Sequence, residues 1–322
     1  MQVVRRSVDA LMKNRFVGII IFLAVLGAVT LFAVRSISSV DINRMKDIGP
    51  ESFPLPLALV ILAYLNRFLF WNRLAAAFHL RARYTVAGRA FFYSILGRYV
   101  PGKAGLFLLR LRAYKGKSRK KVGAAMIAEY IATILAACIL VLAGSILASG
   151  SNPLLTRWIP LGVAVLSVLM LHPRLLRRMV NSLIGLTGRS HLVEFPTAGN
   201  VAVVTAGYGL TGLLHGMALF MIMRMFGDMP FELYPVVTGA YYTAGLIGMV
   251  AFFAPGGLGV REGVLFLLLP AYSDTGAVVL SAALMRILTL AAELLLAGFF
   301  ALLSGRSAGD LNGTALPSDT VD

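Results

Sequence analysis

Hydrophobic positions in this chain fall into long runs that show neither the alternation of a half-buried strand nor the narrow stripe of a surface helix. Seven runs, residues 16–34, 55–70, 122–148, 159–171, 198–225, 233–253 and 277–303, are long enough or nearly so to cross ~30 Å of hydrocarbon as α-helices. Two more, 90–114 and 251–272, are apolar but interrupted by related phrases, PGKAG at 101–105 and PGGLG at 255–259. Proline lacks an amide hydrogen and glycine favours non-helical backbone, so each phrase breaks a helix. Hydrocarbon tolerates the freed backbone groups only where protein or water covers them. The pattern predicts an all-α polytopic membrane protein, with about seven full spans plus two broken or re-entrant helix segments.

The repeat extends beyond the phrase. PGKAG is followed by residues 106–114, a basic loop and a span carrying Glu129; PGGLG is followed by 260–272, a short loop and a span carrying Arg286 and Glu293. The expected organisation is one membrane domain over 1–305, with repeat halves at about 55–148 and 233–303, and a polar tail over 306–322 expected to be disordered. Duplicated discontinuous helices point to a binding site between the halves, served by rocking of one half against the other.

Composition and charge narrow the function. Hydrophobic residues make up 58% of the 322 and charged residues 14%, and mean hydropathy is +0.82, which excludes an ordinary soluble domain. The net charge of +16 is concentrated between spans: thirteen Lys or Arg and no acid lie between Arg73 and Lys121. Such loops mark the cytoplasmic side and attract anionic lipid, so a nucleic-acid partner is not expected. Arg5, Arg6, Lys13 and Arg15 place the N-terminus in the cytoplasm of a cell inner-membrane protein, and the basic, apolar stretch 175–186 reads as an interfacial helix. Cys138 is alone and the four histidines are scattered, so neither a disulfide within the chain nor a metal site is expected, and no cofactor is implied.

Charges at membrane depth mark candidate site residues: Arg98, Lys103, Glu129, Glu262 and Arg286. Around them, Pro101, Gly102 and Gly105 in the first phrase, and Pro255, Gly256, Gly257 and Gly259 in the second, offer backbone amides at the starts of half-helices, where phosphate oxygens bind. Arg98 can grip a phosphate with two parallel hydrogen bonds. Glu129 and Glu262 can hold the cations while the site is empty, or contact an amine or sugar hydroxyl on the headgroup. Against this stands a structural ion pair between Glu129 and Arg286 that locks two spans. Arg110 and Arg112 are expected to snorkel toward headgroups, and Tyr241 and Tyr242 to serve packing or an interfacial belt. Residues 97–103 spell GxxxxGK, but Ala104 stands where a magnesium-binding Ser or Thr is needed, and no DxD, HxH or paired carboxylates occur. No enzymatic activity is expected.

GRYVPGKAG at 97–105, Glu129, PGGLGVREG at 255–263 and Arg286 together resemble the signature of the lysylphosphatidylglycerol synthase transmembrane, or flippase-like, family. The resemblance spans about 55–303. It implies a lipid-handling membrane protein, whose relatives are linked to translocation of aminoacylated phospholipids, polyprenyl-phosphate-linked sugars or related lipids. A stand-alone member is expected, without the aminoacyl-transferase domain found in bifunctional members, so lipid aminoacylation is not expected. The expected function is translocation of an anionic phospholipid or polyprenyl-phosphate-linked lipid. Alternatives are an accessory protein presenting lipid to a separate lipid-synthesis enzyme, and a lipid-modifying transferase.

Overall fold

The computed structural model describes residues 48–99, 118–147, 196–250, 255–257 and 259–307, with positions 106, 109–111, 114, 158, 161, 162, 165, 174, 175 and 178. Its helices are α1 Pro54–Ala77, α2 Tyr84–Leu96, α3 Arg119–Leu147, α4 Ala198–Arg224, α5 Tyr234–Val250, α6 Val260–Leu268 and α7 Thr275–Ser307. Among the described residues five helical stretches are long and apolar enough to cross a membrane: Pro50–Ala77, Arg119–Ile146, Ala198–Arg224, Phe231–Val250 and Thr275–Ser304. These coincide with five of the seven expected spans. The expected spans 16–34 and 159–171, the interfacial stretch 175–186 and most of the tail lie largely or wholly outside the described residues.

Two helices are too short to span. At ~1.5 Å per residue, the 13 residues of α2 cover about 20 Å and the 9 residues of α6 about 14 Å, against ~30 Å of hydrocarbon. A tight turn at Gly97–Tyr99 follows α2, and another at Pro255–Gly257 precedes α6. The two turns touch.

Local chemistry sets the helix ends. Pro54 and Pro56 occupy the first turn of α1, where missing amide hydrogens cost little. The helix closes on His79, which adopts φ 57° and donates its N–H to the Ala76 carbonyl at 2.9 Å, while the Leu80 N–H reaches the Ala75 carbonyl at 2.9 Å. This is the double reverse bond of a left-handed helix cap. Thr197 caps α4 by accepting from the Asn200 N–H at 3.3 Å.

Lipid supplies no hydrophobic drive between helices, so association rests on packing and internal polar bonds. α1 and α4 are joined by Asn66, whose Nδ2 donates to the Gly207 carbonyl and the Thr211 hydroxyl, each at 2.8 Å. α3 and α5 meet backbone to backbone: a Cβ on Gly144 would lie 2.5 Å from the Pro235 carbonyl oxygen and 3.0 Å from Gly239 Cα. Phe68 of α1, Phe91 and Phe92 of α2 and Phe300 of α7 form an aromatic knot with ring centroids 5.2–5.7 Å apart. Such ring pairs add about 0.5–1.5 kcal/mol each beyond burial. The outer faces carry exposed Leu62, Leu69, Ile146, Leu267, Leu295 and Leu302, as a hydrocarbon solvent permits.

The sequence halves are interleaved. α3 of the first half packs on α5 of the second, and α2 packs on α7. Rocking of the halves as rigid bodies, the motion expected from the repeat, would pull apart the Gly144–Gly239 contact and the aromatic knot.

Candidate functional site

A cavity of about 190 Å³ opens between α1, α3, α4 and α5 and the two broken-helix turns. Its wall carries four arginines, Arg67, Arg98, Arg110 and Arg261, and one carboxylate, Glu129. Each arrives on a different segment. Arg67 lies within the apolar run of α1, Arg98 on the turn after α2, Arg110 beyond the first broken phrase, and Arg261 on the first turn of α6.

Two ion-pair centres organise these charges. Glu129, buried on α3, accepts from Arg110 Nη1 through one oxygen and from Arg67 Nη2 at 3.4 Å through the other. Glu293, fully buried on α7, accepts from Arg98 Nη2 and from the Tyr64 hydroxyl. An intramembrane carboxylate is costly unless cations or donors surround it, and both of these are surrounded.

Arg110 is 2% exposed. Its Nε donates to the Ser94 hydroxyl at 3.0 Å, and its guanidinium lies over the Trp71 ring at 4.1 Å and the Phe91 ring at 4.8 Å. It does not snorkel, because a carboxylate and two ring faces inside the protein solvate it better than a path to the headgroups would. Trp71 is fixed in turn by its Nε1–H bond to the Tyr114 hydroxyl at 3.0 Å.

Arg261 is held differently. Its guanidinium sits 5.2 Å from the Tyr241 ring centroid, and its methylenes run between Gly248 and Gly257. A Cβ on Gly248 would come within 2.6 Å of Arg261 Cγ. Gly257 has φ 74°, a left-handed conformation in which any side chain is strained, so glycine is required there for space and for backbone alike. Tyr241 and Tyr242 therefore line the cavity, where packing or an interfacial belt was expected. His215 stacks on Tyr241 with centroids 6.0 Å apart and donates its Nδ1–H to the Thr211 carbonyl at 2.9 Å.

The candidates chosen from sequence divide into three groups. Arg98, Glu129 and Gly256 line the cavity, and Gly257 shapes it through Arg261. Pro255 opens the second turn. Glu262 and Arg286 border an adjacent smaller pocket: Arg286 Nη2 donates to the Gly256 carbonyl at 3.0 Å and so pins the second turn to α7. Glu262 Oε2 accepts from the Gly259 N–H at 2.8 Å, which makes it the cap of α6 and occupies an amide otherwise open to phosphate. Pro101, Gly102, Lys103 and Gly105 lie outside the described residues. The alternative ion pair between Glu129 and Arg286 is not formed, since Glu129 is taken by Arg67 and Arg110.

Arg67, Arg110, Arg261 and Glu293 belong to the site without having been selected as binding residues. The rule that picked Glu129, a charge inside an apolar run, applies equally to Arg67 and Glu293. Arg261 stands beside Glu262 in PGGLGVREG, but helical spacing alone does not say which of two neighbours faces inward. Among the described residues no cluster of His, Cys, Asp or Glu could hold a metal ion.

The family model described as "Lysylphosphatidylglycerol synthase TM region" matches residues 15–297. No curated protein matches the chain at a significant level.

Proposed function

The chain belongs to the lysylphosphatidylglycerol synthase transmembrane family, and from that premise we propose that it translocates an anionic lipid, a phospholipid or a polyprenyl-phosphate-linked lipid, across the cytoplasmic membrane. Membership makes it a multi-pass membrane protein with a role connected to membrane lipid. The finer reading is supported by one observation: four guanidinium groups converge on a single cavity walled by both broken-helix turns. Guanidinium is suited to phosphate because its planar donors match two oxygens at once. The acyl or prenyl chain stays in the surrounding lipid while the headgroup occupies the cavity.

In this reading α2 and α6 are the halves of two re-entrant hairpins, with the N-terminus and the basic loop before α3 in the cytoplasm. The moving part is α6 with its turn. Within 260–268 only Leu265 is buried, and sparse burial marks segments that open at low cost. Displacing α6 carries Arg261 with it and leaves the contact between α3 and α5 intact. The lipid leaves chemically unchanged.

The test is reconstitution of the full chain into liposomes containing a trace of headgroup-labelled phosphatidylglycerol, with quenching from outside by an impermeant reagent. We expect the quenched fraction to rise above the outer-leaflet share at a rate that scales with protein, with labelled phosphatidylcholine exchanging more slowly. Specific binding of anionic lipid without exchange supports the accessory role in which lipid is presented to a separate synthesis enzyme. Recovery of a modified lipid supports the transferase.

A further inference from the structure

Among the described residues the charges that line the cavity are incompletely compensated. Arg98 has Glu293 and Arg110 has Glu129. Arg67 reaches only the second oxygen of the Glu129 already engaged by Arg110, at 3.4 Å, and its Nε has no hydrogen-bond partner among the described residues. Arg261 has no carboxylate within ion-pairing distance among the described residues; its immediate neighbours are the Tyr241 ring and glycine backbone. The adjacent pocket contributes Arg286 and Glu262, one charge of each sign. Among the described residues, four arginines stand against two carboxylates, a surplus of two positive charges borne by Arg67 on α1 and Arg261 on α6.

We propose that the cavity selects a lipid headgroup bearing two negative charges on phosphate, a phosphomonoester or a pyrophosphate diester, over the single charge of a phosphodiester. The proposal rests on the reading of the cavity as a headgroup site. Water in the cavity meets part of the cost of each uncompensated cation, since the Arg67 side chain keeps 28% of its exposure, and an anionic partner that replaces that water relieves the rest. A phosphodiester headgroup satisfies one surplus arginine and leaves the other. A dianion satisfies both. A headgroup that adds an ammonium to a phosphodiester cancels its own charge and satisfies neither on balance. The cavity measures about 190 Å³, far above the minimum that admits a single water.

The experiment compares lipids that share the same dioleoyl chains: phosphatidic acid (phosphomonoester), cytidine-diphosphate diacylglycerol (pyrophosphate diester), phosphatidylglycerol (phosphodiester) and phosphatidylcholine (zwitterion). Binding to the purified full chain is measured by competition in native mass spectrometry at pH 8.5, above the second ionisation of a phosphomonoester near 6. We expect at least one dianionic lipid to bind about tenfold more tightly than phosphatidylglycerol, as one further charge-assisted contact implies. Which dianion leads assigns the class. Arg261→Gln should reduce the dianion to the level of phosphatidylglycerol while leaving phosphatidylglycerol within about twofold. Should that variant not fold, the wild type still decides: at pH 5.5 phosphatidic acid carries one charge and its advantage should vanish, while that of the pyrophosphate diester persists. Equal binding of phosphatidylglycerol and both dianions overturns the proposal and leaves the anionic-lipid reading standing. Equal binding of phosphatidylcholine overturns that reading itself.

Discussion

Replacing Glu293 with glutamine should move stability and lipid affinity in opposite directions. Glu293 is fully buried and holds Arg98 and the Tyr64 hydroxyl. Glutamine preserves the volume and an oxygen for Tyr64, so the change isolates the charge. Breaking a buried ion pair by removing one partner costs about 3–5 kcal/mol. The Arg98 side chain keeps 21% of its exposure and faces the cavity, where water can solvate it, so the lower end, about 3 kcal/mol, applies. At about 2–4 °C per kcal/mol this lowers Tm by roughly 6–12 °C, measurable by thermal denaturation in detergent. Affinity for a lipid pyrophosphate monoester, whose headgroup carries up to three negative charges, should meanwhile rise about tenfold, because Arg98 gives up its carboxylate and becomes the third cation open to a headgroup. Saturating lipid should then restore much of the lost Tm, since ligand at a hundred times Kd stabilises by about 2.7 kcal/mol. A lowered Tm with unchanged or weakened lipid binding would refute the reasoning, by showing that Glu293 holds Arg98 for packing and not in place of a ligand. An unchanged Tm would refute the energetic assignment of the pair.

Further outcomes follow from single contacts. Gly144→Ala places a methyl 2.5 Å from a backbone oxygen that cannot rotate away, so we expect a loss of about 1–3 kcal/mol; Gly239→Ala, whose methyl meets nothing closer than Gly144 Cα at 3.1 Å, should lose less, and the double mutant should depart from the sum. Thermal denaturation of the three variants checks this. Gly248→Ala drives its methyl into Arg261 Cγ and should reproduce the lipid-binding defect of Arg261→Gln although the arginine is still present, as lipid competition would show. In a Cys138→Ala background, a cysteine introduced between Lys115 and Lys121 should resist an impermeant external reagent in intact cells. Labelling from outside would invert the proposed topology.

Much of the fold was legible because lipid as solvent makes hydropathy a direct reading of span position. The run expected at 122–148 appears as Arg119–Leu147 and that at 198–225 as Ala198–Arg224. The second interruption was legible from its Pro and Gly content, where the turn Pro255–Gly257 stands, while the first phrase, 101–105, lies outside the described residues. What hydropathy does not carry is which helices touch. Interleaving of α2 with α7 and of α3 with α5 depends on surfaces such as Gly144 and Gly239, which a one-dimensional pattern records only as small residues. The site was half legible for the same reason. Glu129 and Arg98 were marked by charge in apolar surroundings, whereas Arg110 was assigned to headgroups because its ring partners Trp71 and Phe91 are 39 and 19 residues away in the chain.

The bare backbone contact between Gly144 and Gly239 also bears on how the protein is made. Its two sides are about 95 residues apart, so at a ribosomal pace of about 5–20 residues per second α3 waits roughly 5–20 s for its partner. Arg98 waits longer still, since its counter-ion arrives with α7. The nascent first half can already assemble Glu129 with Arg110 and Arg67, but it enters the bilayer with an uncovered glycine face and an arginine without its carboxylate. Biogenesis thus requires a protected environment, at the insertion machinery or beside it, until the second half emerges. Two halves expressed as separate chains would have to find each other from that exposed state, and co-expression, not sequential addition, is the route by which they could reassemble.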